Sequence, residues 1–167
     1  MAADEYEVLR ETFRPQITRV LFVGESRPIG GTFFYRGDST LEQHTQQAFE
    51  FVGSASAFLE HFTASKCYLV DLCVEPVNAI VPTERRANCR SGEARLATEL
   101  HALQPEVVIV VMKGIAPHVR RAIANAGLEQ LAVYVLPFPA MGHQPQYVQG
   151  LRTILGELRA SGVLPGP

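Results

Sequence analysis

The residues best suited to chemistry follow the first apolar run, Val20-Leu21-Phe22-Val23. That run ends in Gly24-Glu25-Ser26-Arg27-Pro28 and continues through Gly30-Gly31-Thr32 into three consecutive aromatics, Phe33-Phe34-Tyr35. A carboxylate and a hydroxyl at a strand end can orient or activate water. An aromatic beyond a flexible turn can stack on a flat ring, an interaction worth about 1–3 kcal/mol. Such a loop, at the carboxyl end of a strand, lies where open α/β sheets bind ligands. The competing reading is a surface turn whose aromatics fill the core, and one of Phe33 and Phe34 is expected to do so.

Three further loops carry polar groups of the same kind. The second apolar run, Cys67–Leu72, leads through Asp71 into Cys73, Glu75 and Asn78. The third, Val107–Met112, leads into Lys113-Gly114, and the fourth, Val133–Phe138, delivers Pro139-Ala140-Met141-Gly142-His143. Asn78 carries both donor and acceptor groups, or it caps a turn beside Pro76. Asp71 reads either as a carboxylate of the same edge or as a cap on backbone amides. His143 brings an imidazole to the same edge, or is a surface or helix-capping residue. Arg85, Arg86, Arg90 and Arg95 fall within eleven residues. With Lys66 and Lys113 they can grip phosphates, or they form a solvated helix face balanced by Glu84, Glu93 and Glu99.

The elements that must position these groups alternate regularly. A leading helix over residues 4–13 carries Tyr6, Leu9 and Phe13 and ends at Pro15. Ser39-Thr40-Leu41-Glu42 reads as a capping box ahead of a stripe of Leu41, Ala48, Phe49 and Val52. Short helical patterning through Phe58, Leu59 and Phe62 precedes the second strand. Thr83 opens a helix carrying Leu96, Leu100 and Leu103; Pro117 opens the next, which stops at Gly127; Pro145 opens the last. Strands alternating with helices predict an α/β fold, a three-layer α/β/α sandwich around a four-stranded, mainly parallel sheet. Parallel strands gather the four loops along one edge, so carboxylate, amide, imidazole and aromatic groups converge there.

Composition limits the alternatives. The chain has 167 residues, 47% of them hydrophobic and 19% charged, which reads as one globular domain over 1–167 with its core at about 17–160. No apolar stretch approaches the roughly 20 residues that span a bilayer. The acidic amino terminus lacks a signal-peptide core, so a cytoplasmic protein with no membrane partner is expected. A net charge of −2 excludes a strongly basic nucleic-acid-coating protein while allowing a local positive groove. Three cysteines do not make a disulfide framework. They read as small core residues; a zinc site from Cys67, Cys73, Cys89 and a histidine would lack close Cys-x-x-Cys spacing.

In order along the chain, these segments resemble the uracil-DNA glycosylase superfamily, most nearly its iron–sulfur branch. Gly24-Glu25-Ser26-Arg27-Pro28 is similar to that branch's Gly-Glu-Ala-Pro-Gly loop, with one residue inserted before the proline. Cys73-Val74-Glu75-Pro76-Val77-Asn78, with Pro82-Thr83 and Cys89, resembles its Cys-Arg-Pro-Pro-x-Asn-Arg-x-Pro-Thr segment, and fifteen residues separate the two cysteines as in the branch. Gln104-Pro105-Glu106-Val107-Val108-Ile109-Val110 is similar to its Arg-Pro-Lys-x-Ile-Val strand. Phe138-Pro139-Ala140 stands where the family has His-Pro-Ser or His-Pro-Ala. The resemblance covers residues from about 20 to 155.

It implies a glycosylase-like fold and a DNA-repair hydrolase that cleaves the N-glycosidic bond of uracil or a related deaminated base. Glu25, Ser26 and His143 would then be catalytic, with Phe34, Asn78, Asp71 and Phe138 around the base. Arg85, Arg86, Arg90 and Lys113 would hold DNA phosphates, and the chain would act as a monomer. The departures are chemical. A cluster needs a full ligand set, and no cysteine precedes Cys67, so no iron–sulfur cluster, other metal or cofactor is expected. Phe138 cannot donate the hydrogen bond that the family's histidine gives the departing base. The alternative is therefore a catalytically silent member that binds a nucleobase, nucleotide or single-stranded nucleic acid. An unrelated doubly wound enzyme would need a phosphate loop or nucleophile elbow, and the first loop has neither pattern.

Overall fold

A computed structural model describes residues 2–77 and 79–166 of the chain. In chain order the elements are α1 (Ala3–Thr12), β1 (Val20–Gly24), α2 (Thr40–Ala48), α3 (Ala55–Ala64), β2 (Cys67–Asp71), α4 (Pro82–Leu103), β3 (Val107–Val110), α5 (Ala116–Asn125), β4 (Ala132–Val135) and α6 (Gln144–Ala160). Single 3₁₀ turns at Phe34–Arg36 and Lys113–Ile115 follow β1 and β3. The four strands pair in parallel in the order β2-β1-β3-β4. Helices flank the sheet: α2 packs on α3 and α6, and α4 packs on α5. This is the expected α/β architecture, with the three-layer arrangement that covers a parallel sheet on both faces.

Strands β1, β2 and β3 are buried throughout, whereas the edge strand β4 is only partly covered. The other edge, β2, is protected by a side chain. The Tyr35 hydroxyl donates to the Leu69 carbonyl at 3.0 Å and accepts from the Leu69 amide at 2.6 Å. These are the outward groups that an uncovered edge would offer to another chain. Tyr35 lies at the centre of a ring cluster with Phe13, Phe33, Phe34 and Tyr68.

The local signals place most boundaries to within a residue or two. Ser39 caps α2 by accepting from the Glu42 amide at 3.1 Å, and Ser54 caps α3 in the same way. Proline stands in the first turn of α4, α5 and α6, where its missing N–H leaves no gap in the ladder. Two expectations need correction. The apolar stripe after Ser39 stops at Phe49, because α2 ends at Ala48 and Val52 is 97% exposed. The fourth strand ends at Val135, short of Phe138, and residues 136–143 form the loop into α6.

Candidate functional site

The register of β1 against β2 sets the site. Gly24 pairs with Asp71, so their Cβ directions share one face of the sheet, and Glu25 turns to the other. Phe22, two residues before Gly24, packs on Phe62 of α3, which identifies the first face as the one under α2 and α3. A Cβ on Gly24 would lie 2.7 Å from Asp71 Oδ1, so only glycine leaves room for that carboxylate. Backbone pairing continues past the strands, with the Leu72 amide on the Gly24 carbonyl and the Cys73 amide on the Glu25 carbonyl. The first and second loops thus leave the sheet side by side.

On the α2–α3 face these loops form a small slot of about 40 Å³. Ser26, Arg27, Pro28, Phe33 and Phe34 line it from the first loop, and Leu69 and Asp71 from β2. Ser39 and Leu41 add the start of α2, and Phe138 reaches across from the fourth loop. At roughly 10–15 Å³ per water the slot holds about three waters. A nucleobase-sized ring is larger than this slot and needs it to widen. Arg27, one of the lining residues, lies with its guanidinium 4.3 Å from the centre of the Tyr6 ring and pairs with Glu75 at 3.1 Å.

Asp71 is buried, and its Oδ2 accepts from Arg10 of α1 at 2.9 Å. Burial pushes its carboxyl above the usual range, opposed by the charges of Arg10 and Arg95. Arg10, only 4% exposed, also pairs with Glu7 and lies over the Phe33 ring. Sequence reasoning passed over Arg10 and Arg27. A usable signal existed for Arg10, which sits four residues after Tyr6 and so shares the helix face that Tyr6 buries.

Glu25 is buried on the opposite face and does not line the slot. Arg85 of α4 grips it with both ends of the guanidinium, Nε donating to Oε2 at 2.8 Å and Nη2 to Oε1. Cys89 Sγ adds a weak contact to Oε2 at 3.8 Å. Both carboxylate oxygens are therefore engaged, and Arg85 is committed to Glu25 before any phosphate arrives.

The remaining candidates divide clearly. Ser26 lines the slot, and its Oγ accepts from the Val77 amide at 3.3 Å. Phe34 lines it too but is core, packed on Tyr35 and Phe62. Phe138 is half-buried and lines the slot. His143 is exposed at the start of α6, its side chain makes no capping bond, and it does not line the slot. Asn78 lies outside the described residues. Arg86 and Arg90 are exposed one turn apart on α4, and Lys113 is exposed beyond β3. Lys66 precedes β2 at the opposite edge of the sheet, away from this group.

Cys73 and Cys89 approach to 3.5 Å, while Cys67 is buried at the far end of β2. A four-thiolate cluster site cannot be assembled from these three residues, so the donor set does not fit the cofactor of the branch that the sequence resembles. Among the described residues no group of three or more histidine, cysteine or acidic side chains is placed to hold a metal ion. No described helix is long and apolar enough to cross a membrane. No protein-family model matches the chain, and no curated protein matches it.

Proposed function

We propose that this chain is a DNA base-excision glycosylase that hydrolyses the N-glycosidic bond of uracil or a related deaminated base. The observation that carries the reading is the slot, where Phe34 and Phe138 meet Ser26 and the buried carboxylate Asp71 at the carboxyl edge of a parallel sheet. An aromatic wall beside a polar corner is what a planar heterocycle taken out of a nucleic-acid stack requires. Breaking the bond develops positive charge on the sugar and negative charge on the base. Of the two strand-end carboxylates, Asp71 faces the slot, so it supplies the negative charge beside the sugar and directs water, with Ser26 as hydrogen-bonding partner. Glu25 stiffens the floor through Arg85. Arg86, Arg90 and Lys113 supply phosphate contacts. The protein acts as a cytoplasmic monomer on DNA.

One observation favours a second reading, a binding protein without turnover. Among the described residues no imidazole lines the slot, and the Phe138 side chain cannot hydrogen-bond to a departing base.

Oligonucleotides bearing one uracil, hypoxanthine or xanthine, single- or double-stranded, followed by alkali, test both. The glycosylase reading expects scission that falls at least tenfold in Ser26→Ala and in Asp71→Asn and survives in Glu25→Gln. Silence on every base, with salt-sensitive binding weakened by Phe138→Ala, selects the binding reading. Neither scission nor binding overturns both.

A further inference from the structure

The contact between the β2–α4 loop and α4 carries chemistry that the slot does not use. A Cβ on Gly92 would lie 2.0 Å from the Leu72 carbonyl oxygen, so α4 is pressed against the end of β2 at backbone distance. The residue after Leu72 is Cys73, and one turn before Gly92 is Cys89. That close approach sets the two sulfurs 3.5 Å apart, on separate elements, with both thiols free and buried. Cys73 also lines a crevice of about 260 Å³ that is open to solvent between the loop and α4, beside Asn88 and Arg95.

We infer that Cys73 and Cys89 form a reversible dithiol–disulfide pair, a site of oxidation by peroxide that ties the β2–α4 loop to α4. Closing the bond needs the sulfurs to approach from 3.5 Å to about 2.05 Å, a movement that side-chain rotation and a small loop shift supply. In the first step the Cys73 sulfur attacks hydrogen peroxide, the O–O bond breaks, and Cys73 sulfenic acid and one water form. In the second, Cys89 sulfur displaces the hydroxyl, which leaves with the Cys89 proton as a second water. Two electrons pass from the sulfurs to the peroxide oxygens, and each thiol proton ends in a water. Burial pushes both thiols above the usual range, so the reaction is slow at neutral pH and quickens in alkali.

The consequence reaches the slot mouth. The tied loop carries Glu75, the partner of Arg27, and Val77, whose amide bonds Ser26. Oxidation therefore ties to α4 a loop that contacts two residues lining the slot, Arg27 and Ser26. The inference stands apart from the glycosylase reading, because its test measures no activity.

The full chain is exposed to hydrogen peroxide, unfolded in denaturant, and alkylated. The expected result is one alkylatable thiol instead of three, an intact mass lower by two hydrogens, and a linked peptide pair containing Cys73 and Cys89. The oxidised protein should melt about 5–10 °C higher, the gain disappearing with dithiothreitol and in Cys89→Ala. Three alkylatable thiols after oxidation, a Cys67-containing linkage, or oxygen adducts without a linked pair would overturn it.

Discussion

Asp71 and Glu25 close neighbouring strands and each meets an arginine, yet the two ion pairs sit in different surroundings. Asp71 faces α2 and α3 beside the slot, and its partner Arg10 is itself buried. Glu25 faces α4, and its partner Arg85 has a side chain 35% exposed. The first pair is more deeply buried, with Arg10 lying over the Phe33 ring, so solvent screens it less than the second. The second borders water. Similar chemistry one residue apart in register thus yields a group poised at a pocket and a group that fastens a helix. The comparison teaches that face, set by strand alternation, decides the role of a strand-end carboxylate more than its residue type does.

The sharpest way to break that comparison is to remove each arginine. Arg10→Met leaves Asp71 buried without its cation and should cost about 3–5 kcal/mol, read from denaturant midpoints. Added Asp71→Asn should recover part of the loss, since the uncompensated charge then disappears. Arg85→Met should cost only about 1 kcal/mol, because water reaches Glu25 from the side that Arg85 vacates. Equal losses would show that the two pairs are alike.

A third carboxyl provides the unpaired reference. Glu42, in the first turn of α2 next to the slot wall, is 1% exposed, and its Oε1 has no hydrogen-bond partner. Burial, aided by Asp38, pushes it up to about 7 from the ordinary 4.5. Between those values the folded protein keeps a proton that the unfolded chain has released, so stability falls as pH rises through this window. The full loss is about 3 kcal/mol. Glu42→Gln should remove that slope between pH 5 and 7 and leave the protein more stable than the parent at pH 8. A parent whose melting temperature does not fall over this interval would show that Glu42 is solvated.

How far the site was legible in the sequence follows from the same physics. Strand starts, proline-led helices and the Ser39 cap are local signals, and the structure reproduces them closely. The gathering of the loops followed from parallel topology alone. Which face each carboxylate takes was not legible, because it depends on the register Gly24–Asp71. Phe34 and Phe138 could not be ranked by type either. Phe34 sits in a 3₁₀ turn that drives it into the ring cluster, while Phe138 lies past the end of β4 and is only half-buried. The arginines looked like one phosphate-binding group, but Arg85 is spent on Glu25 and Arg95 on the carbonyls of Asp71 and Leu72. Tertiary partners decide that division, and helical spacing does not reveal them.

The smallest expected change in stability comes at Phe138, and it separates the two functional readings. Phe138 is half-buried at the rim of the slot, so Phe138→His should alter stability by less than about 1 kcal/mol. The imidazole would stand where Phe138 now lines the slot, on a loop held by the Ala140 amide bonding to the Phe138 carbonyl at 2.8 Å. If Asp71 and Ser26 form a working water site, a donor at this position should stabilise the departing base and raise scission of a uracil-bearing strand tenfold or more. The rate should fall as pH rises past the titration of the imidazole, provided its protonated form is the donor. Phe34→His offers the contrast: it places a polar ring inside the cluster of Phe62 and Tyr35, so it should destabilise the fold without creating activity. A Phe138→His protein that binds single strands as the parent does, yet cleaves none of them, would locate the deficiency in Asp71 and its hold on water, not in the missing histidine.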